Sequence, residues 1–84
     1  MDIQNWIINW FIENTDLQES DIEKNLRENY LEIGWIDSLK FISFINDLEK
    51  KFQIHFSNES FQNREFSTIS GLAKIISEIL NGKI

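Results

Sequence analysis

An all-α fold is what this 84-residue chain predicts, and three observations predict it. Apolar residues recur at helical spacing in three separate stretches. No proline interrupts them, and only three glycines punctuate the chain. The one strand-like alternation, Phe52, Ile54, Phe56, has no matching run elsewhere to pair with. The expected architecture is a small antiparallel bundle of three main helices plus one or two short ones. A long loop should join the first two main helices.

The first helix is expected over residues 2–14. Ile3, Trp6, Ile7, Trp10 and Phe11 form one face, and Ile8 and Ile12 widen it. Asp2 is a suitable N-cap. Asn14-Thr15-Asp16 ends the segment, because these side chains compete for backbone hydrogen bonds. Trp6 and Trp10 share a side and read as core rather than as a stacking platform.

Residues 15–36 show no clean period and read as a long connection. Leu17, Ile22, Leu26, Tyr30, Leu31, Ile33 and Ile36 should pin it to the core. Ser20-Asp21-Ile22-Glu23 is the candidate for a short helix opened by a capping box. Long loops inside compact domains are often functional.

Residues 38–52 carry the clearest helical stripe: Phe41, Phe44, Ile45, Leu48 and Phe52. Residues 53–66 are irregular, with one helical turn near Glu59 to Asn63. Ser67 or Thr68 should cap a last helix whose buried face is Ile69, Leu72, Ile76 and Ile79. Asn81-Gly82 should close it. Bulky aromatics must fill the centre, since the chain has three Trp, seven Phe and one alanine.

Composition limits the function classes. At this length a single domain, residues 1–84, is expected, and it should be monomeric. Hydrophobic residues reach 42%, too many for disorder even at a net charge of −6. With no cysteine, disulfides, thiolate metal sites and cysteine nucleophiles are excluded. The N-terminus has no basic stretch followed by an apolar run, and no stretch approaches a membrane span. A cytoplasmic location is expected. Residues 1–37 hold nine acids and two bases, and residues 38–84 five acids and six bases. Nucleic acid is an unsuitable partner, because phosphate binding needs a clustered basic face.

No catalytic constellation stands out. His55, the one histidine, lies between Ile54 and Phe56 with no nucleophile nearby in sequence. Asp16, Glu19, Asp21 and Glu23 cluster, but the spacing and glycine of a calcium loop are missing. No glycine-rich phosphate loop is present.

The stretch Gly34-Trp35-Ile36-Asp37-Ser38-Leu39-Lys40-Phe41 is the exception. Gly34 permits a turn other residues resist. Asp37 or Ser38 can accept from the free N–H groups of the helix that follows. A phosphate on a hydroxyl at that position is stabilised by the same N–H groups and the helix dipole. Ser38 is therefore a candidate acceptor for a modification made by another enzyme. Trp35, in the loop just before it, is a possible ligand or partner contact.

Gly34-x-x-Asp37-Ser38-Leu39 resembles the attachment motif of phosphopantetheine carriers, the acyl carrier and peptidyl carrier families. The likeness runs from about Trp6 to Leu80. It includes Leu48-Glu49-Lys50-Lys51-Phe52-Gln53-Ile54 and Phe66-Ser67-Thr68-Ile69-Ser70-Gly71-Leu72. The resemblance implies an acyl-carrier-like bundle that is not itself an enzyme. It implies covalent 4'-phosphopantetheine, moved from coenzyme A onto Ser38 by a phosphopantetheinyl transferase. Asp37 would assist the metal-dependent transfer, with Gly34 and Leu39 completing the motif. The arm's thiol would carry an acyl or aminoacyl thioester between a loading enzyme and downstream synthase or transferase enzymes. The cofactor would thus supply the thiol that the chain lacks.

One departure is visible. Residues 38–52 hold Lys40, Lys50 and Lys51 against Asp47 and Glu49, whereas fatty-acid carriers have a strongly acidic second helix. Lys40 stands where carriers often have an acid or small polar residue, and Ser43 and Asn46 alter the outward face. A specialised pathway (nonribosomal peptide, polyketide or aminoacyl transfer) is favoured over a housekeeping fatty-acid role. A helical interaction module with no arm is the further alternative. Lys40 is expected near the attached phosphate and, with Trp35 and Ile42, is a possible partner contact. Leu39 and Ile42 fall off the main stripe, either exposed for partners or tucked under the first loop.

Overall fold

The computed structural model describes residues 2–82, and every regular element among them is helical. Helix α1 spans Ile3–Asn14. Asp2 Oδ1 accepts from Gln4 N at 3.0 Å and from Asn5 N at 3.3 Å, as the sequence predicts for an N-cap. At the other end Asn14 Nδ2 donates to Trp10 O and Thr15 Oγ1 donates to Phe11 O. Those side chains take up the last carbonyls and stop the helix.

Helix α2 is short, Glu19–Glu23. Ser20 does not open it. Gln18 does, its N–H donating to Asp21 Oδ2 at 3.3 Å, so the acid three residues on sets the start. The connection from Lys24 to Asp37 then crosses the bundle. Ile22, Tyr30 and Ile36 are buried, and Leu17 and Leu26 pack against the core. Leu31 and Ile33, expected to help pin this segment, are exposed instead. They lie in a local turn whose N–H groups bond within residues 29–34. Asn29 Oδ1 accepts from Leu31 N and Glu32 N, and Ile33 N donates to Asn29 O.

Helix α3, Ser38–Phe52, buries Phe44, Ile45 and Leu48 and half-buries Phe41 and Phe52. It ends at Gln53, whose φ of 54° is left-handed, and Lys50 and Lys51 lie in the last turn where the helix dipole favours cations. Three contacts show that α1 and α3 run antiparallel. Trp6 meets Phe52 at 5.6 Å between ring centroids, Trp10 meets Phe44 at 4.5 Å, and Asn14 meets Lys40.

The segment after α3 holds two short pieces. Helix α4 spans Asn58–Gln62 with Ser57 as cap. A 3₁₀ turn follows over Arg64–Ser67, which the sequence pattern does not announce. The turn and the residues just after it are stitched to the long connection. Tyr30 Oη donates to Phe66 O at 2.7 Å, Tyr30 N to Ser67 O at 3.0 Å, and Ser70 N to Leu26 O at 3.0 Å. Burial pushes the Tyr30 phenol well above its ordinary pKa, so it stays a neutral donor.

Helix α5, Ile69–Leu80, is capped by Thr68, whose Oγ1 accepts from Gly71 N at 3.0 Å. It buries Ile69, Leu72, Ile75 and Ile76 and packs along α1. Its first turn sits so close to the 3₁₀ turn that a Cβ on Gly71 would overlap the Glu65 carbonyl oxygen, Glu65 Cβ and Thr68 Oγ1. Alanine is the better helix former by about 1 kcal/mol. Overlap with fixed backbone outweighs that gain, so Gly71→Ala is expected to destabilise by a net ~1–2 kcal/mol. Thermal unfolding checks this: a midpoint at or above that of the parent chain would contradict the close approach.

Candidate functional site

The site forms where the long connection feeds into α3. Gly34 has φ 79°, a left-handed value that a side chain would strain. The turn it allows lets Gly34 N donate to Leu31 O and Trp35 N to Tyr30 O. Trp35 is thereby folded back against Phe11, ring centroids 5.7 Å apart, and is half-buried. Ile36 goes into the core, and the chain emerges at Asp37.

The two candidates for the helix cap have different roles. Asp37 is the N-cap, its Oδ1 accepting from Lys40 N at 2.8 Å. Ser38 is the first helical residue, and its exposed hydroxyl has no hydrogen-bond partner among the described residues. The carboxylate meets the helix's need for a cap, so the hydroxyl beside it is left free. The amides of Ser38 and Leu39 also have no intrahelical partner, as expected of a first turn. A phosphate on Ser38 Oγ would meet unpaired donors and the positive end of a 15-residue helix. The residues present therefore suit a phosphodiester.

Lys40 joins two helices. Its Nζ donates to Asn14 O at 2.6 Å, tying the start of α3 to the end of α1. A cation at the carbonyl end of α1 is favourable. Leu39 and Ile42 are exposed, at 78% and 58%, and not tucked under the first loop. They stand one helical turn apart on one face.

The acids of α3 turn out to be engaged. Asp47 Oδ2 accepts from the buried Trp10 indole N–H at 2.8 Å. Glu49 Oε2 accepts from Phe56 N at 2.9 Å and lies 3.3 Å from His55 Nδ1. His55 is 91% exposed, beyond the far end of α3. A helix of this length spans roughly 20 Å, so Ser38 and His55 cannot act as a pair. Among the described residues no group of three or more His, Asp or Glu side chains is placed to hold a metal ion, so the acids at 16, 19, 21 and 23 form no such site. Among the described residues no helix is long and apolar enough to cross a membrane.

Antiparallel helices enclosing an aromatic core, with an Asp-Ser pair at the exposed start of the longest helix, have the architecture of a carrier domain. The family model described as "Phosphopantetheine attachment site" matches residues 5–76, and the chain belongs to that family of acyl and peptidyl carriers. Its members are non-catalytic carriers that bind 4'-phosphopantetheine covalently, and they work with phosphopantetheinyl transferases and partner enzymes. Neither a curated protein nor a solved structure matches the chain significantly.

Proposed function

We propose that Ser38 is the attachment residue and that residues 1–84 form a single carrier domain. The observation that carries this reading is the division of labour at the start of α3: Asp37 caps, and Ser38 Oγ is free and exposed. In the transfer, Ser38 Oγ bonds to the pantetheine-side phosphorus of coenzyme A as the P–O bond of the diphosphate breaks; adenosine 3',5'-bisphosphate is the leaving group, and the hydroxyl proton is released to solvent. When attached, the arm supplies a thiol for thioester chemistry. The chain's own residues position it. Gly34 turns the loop, Asp37 orders the first turn, and the free amides of Ser38 and Leu39 face the phosphate charge.

The pathway is read from the surface of α3. Its two acids are occupied by Trp10, Phe56 and His55, while Lys50, Lys51, Leu39 and Ile42 are exposed. A helix that shows partners apolar side chains and lysines does not suit enzymes that dock through basic patches. This favours a specialised aminoacyl, nonribosomal-peptide or polyketide carrier over a housekeeping fatty-acid carrier. Leu39, Ile42 and Trp35 are the proposed partner contacts. Incubation with coenzyme A and a broad-specificity transferase tests the attachment. A chain that is never loaded would instead be an interaction module with the carrier fold.

Lys40 gives a separable prediction. With its amine on Asn14 O, two N–H donors remain to face an incoming phosphate. Lys40→Glu should slow loading at low salt, with the deficit shrinking at high salt as exposed charges are screened. Lys40→Met, which loses the Asn14 bond without reversing charge, should fall between the two. Equal rates for all three at both salt concentrations would contradict an electrostatic role.

A further inference from the structure

We infer that α3 selects partners whose matching surface is acidic: an apolar pocket beside the arm, with carboxylates roughly 16 Å further along the helix. This rests on α3 as the face shown to partners, and what it adds is the sign of charge the partner must carry. Leu39, Ser43, Asn46 and Lys50 are exposed and fall in one line along α3, with Ile42 beside it. Lys50 stands about three turns beyond Leu39, on the same side of the helix. The line therefore begins next to Ser38 with apolar side chains, passes two neutral polar ones, and ends on a cation.

No acid interrupts that line. Asp47 and Glu49 lie on its two flanks, and each is turned toward a partner within the chain. Asp47 Oδ2 is 2.8 Å from the Trp10 indole nitrogen. Glu49 is half-buried, with Oε2 at 2.9 Å from Phe56 N and 3.3 Å from His55 Nδ1. Lys50 and Lys51, by contrast, are in no ion pair among the described residues. Lys40 and Lys51 share the flank of Asp47, so that side is net positive as well.

An unpaired cation in a contact rewards a facing carboxylate and penalises a facing cation. The other exposed cations offer no rival site for an acidic partner. Arg27, Arg64 and Lys74 line two grooves near the start of α5, but Glu28, Glu32 and Glu65 line the same grooves, so that face shows both signs. A basic partner is drawn elsewhere, to residues 1–37 with their nine acids and two bases. The net charge of −6 repels an acidic partner at a distance. At physiological salt, charges more than about 8 Å apart are largely screened, and the local sign on α3 decides the contact. Leu39 and Ile42 then supply affinity, while Lys50 sets which partners are accepted and in which direction they lie along the helix.

The test is a ¹H–¹⁵N titration of the chain at physiological salt with two synthetic peptides. Both are amphipathic helices with the same leucine stripe; one has glutamates beside the stripe and the other has lysines there. The glutamate peptide should shift amides from Leu39 to Lys50 and bind α3 about two- to fivefold more tightly than its lysine twin, the range for an exposed charge pair. Lys50→Gln should erase most of that preference. Leu39→Ala should weaken both peptides by the same factor and leave their ratio unchanged. Equal or tighter binding of the lysine peptide at α3 would overturn the inference. So would glutamate-peptide shifts centred on Arg27, Arg64 and Lys74, or no shift on α3 with either peptide. Loading of Ser38 is read separately by mass. A chain that loads but shows no preference for the glutamate peptide keeps its attachment residue and loses the acidic partner. A chain that prefers the glutamate peptide at α3 but never loads keeps the surface and loses the arm.

Discussion

Phe11→Ala is expected to cost about 3–5 kcal/mol, the range for removing a fully buried aromatic ring. Phe11 is completely buried, and four rings surround it: Trp10 at 5.4 Å, Tyr30 at 5.4 Å, Trp35 at 5.7 Å and Phe44 at 5.3 Å. These rings come from α1, α3 and the long connection, so one residue joins three parts of the chain. A domain of this length has a total stability of roughly 4–13 kcal/mol, and the loss is therefore a large share of it. It also removes the backing of Trp35 and Tyr30, which fix the loop leading into Ser38. Phe11→Leu keeps more of the volume and should lose less. Urea unfolding followed by circular dichroism measures both. A cost under about 1 kcal/mol for Phe11→Ala would contradict the packing described, because it would lie far below the usual cavity cost.

Ser38→Ala is expected to do the opposite: lose loading entirely and leave the fold intact. Its hydroxyl is exposed and unpartnered, so stability should stay within about 0.5 kcal/mol, as for other surface substitutions. Asp37→Ala should cost about 1 kcal/mol, because it removes the side chain that caps α3. The pair separates the two roles that a polar residue can play at a helix start. If Ser38→Ala were the destabilising member and Asp37→Ala the silent one, the division of labour at this helix start would be wrong.

The three main helices were legible because each is an amphipathic stripe with local start and stop signals. Asp2, Thr68 and Asn81-Gly82 act where the sequence places them. The turn at Gly34 and the exposed polar pair at 37–38 were legible for the same reason: their chemistry is local. What the pattern missed depends on distant partners. The 3₁₀ turn at Arg64–Ser67 is held by Tyr30, from far earlier in the chain. Lys40 reads as a free cation until Asn14 O is found 26 residues away. Asp47 and Glu49 count as surface acids in a charge tally, yet each has a hydrogen-bond donor from outside α3. Leu31 and Ile33 look like core residues by type, but the turn in which they lie exposes them. Gly71 shows the reverse case. It is a poor helix residue by propensity, and only the close approach of Glu65 explains why it is there.

The central claim is that Ser38 Oγ carries the phosphopantetheine arm. Intact mass after incubation with coenzyme A and a broad-specificity transferase tests it most directly, with peptide mapping to place the change. The account predicts a gain of one phosphopantetheine arm, found on the peptide containing Ser38, and no gain for Ser38→Ala. No gain in the parent chain, or an arm still added to Ser38→Ala, would contradict it.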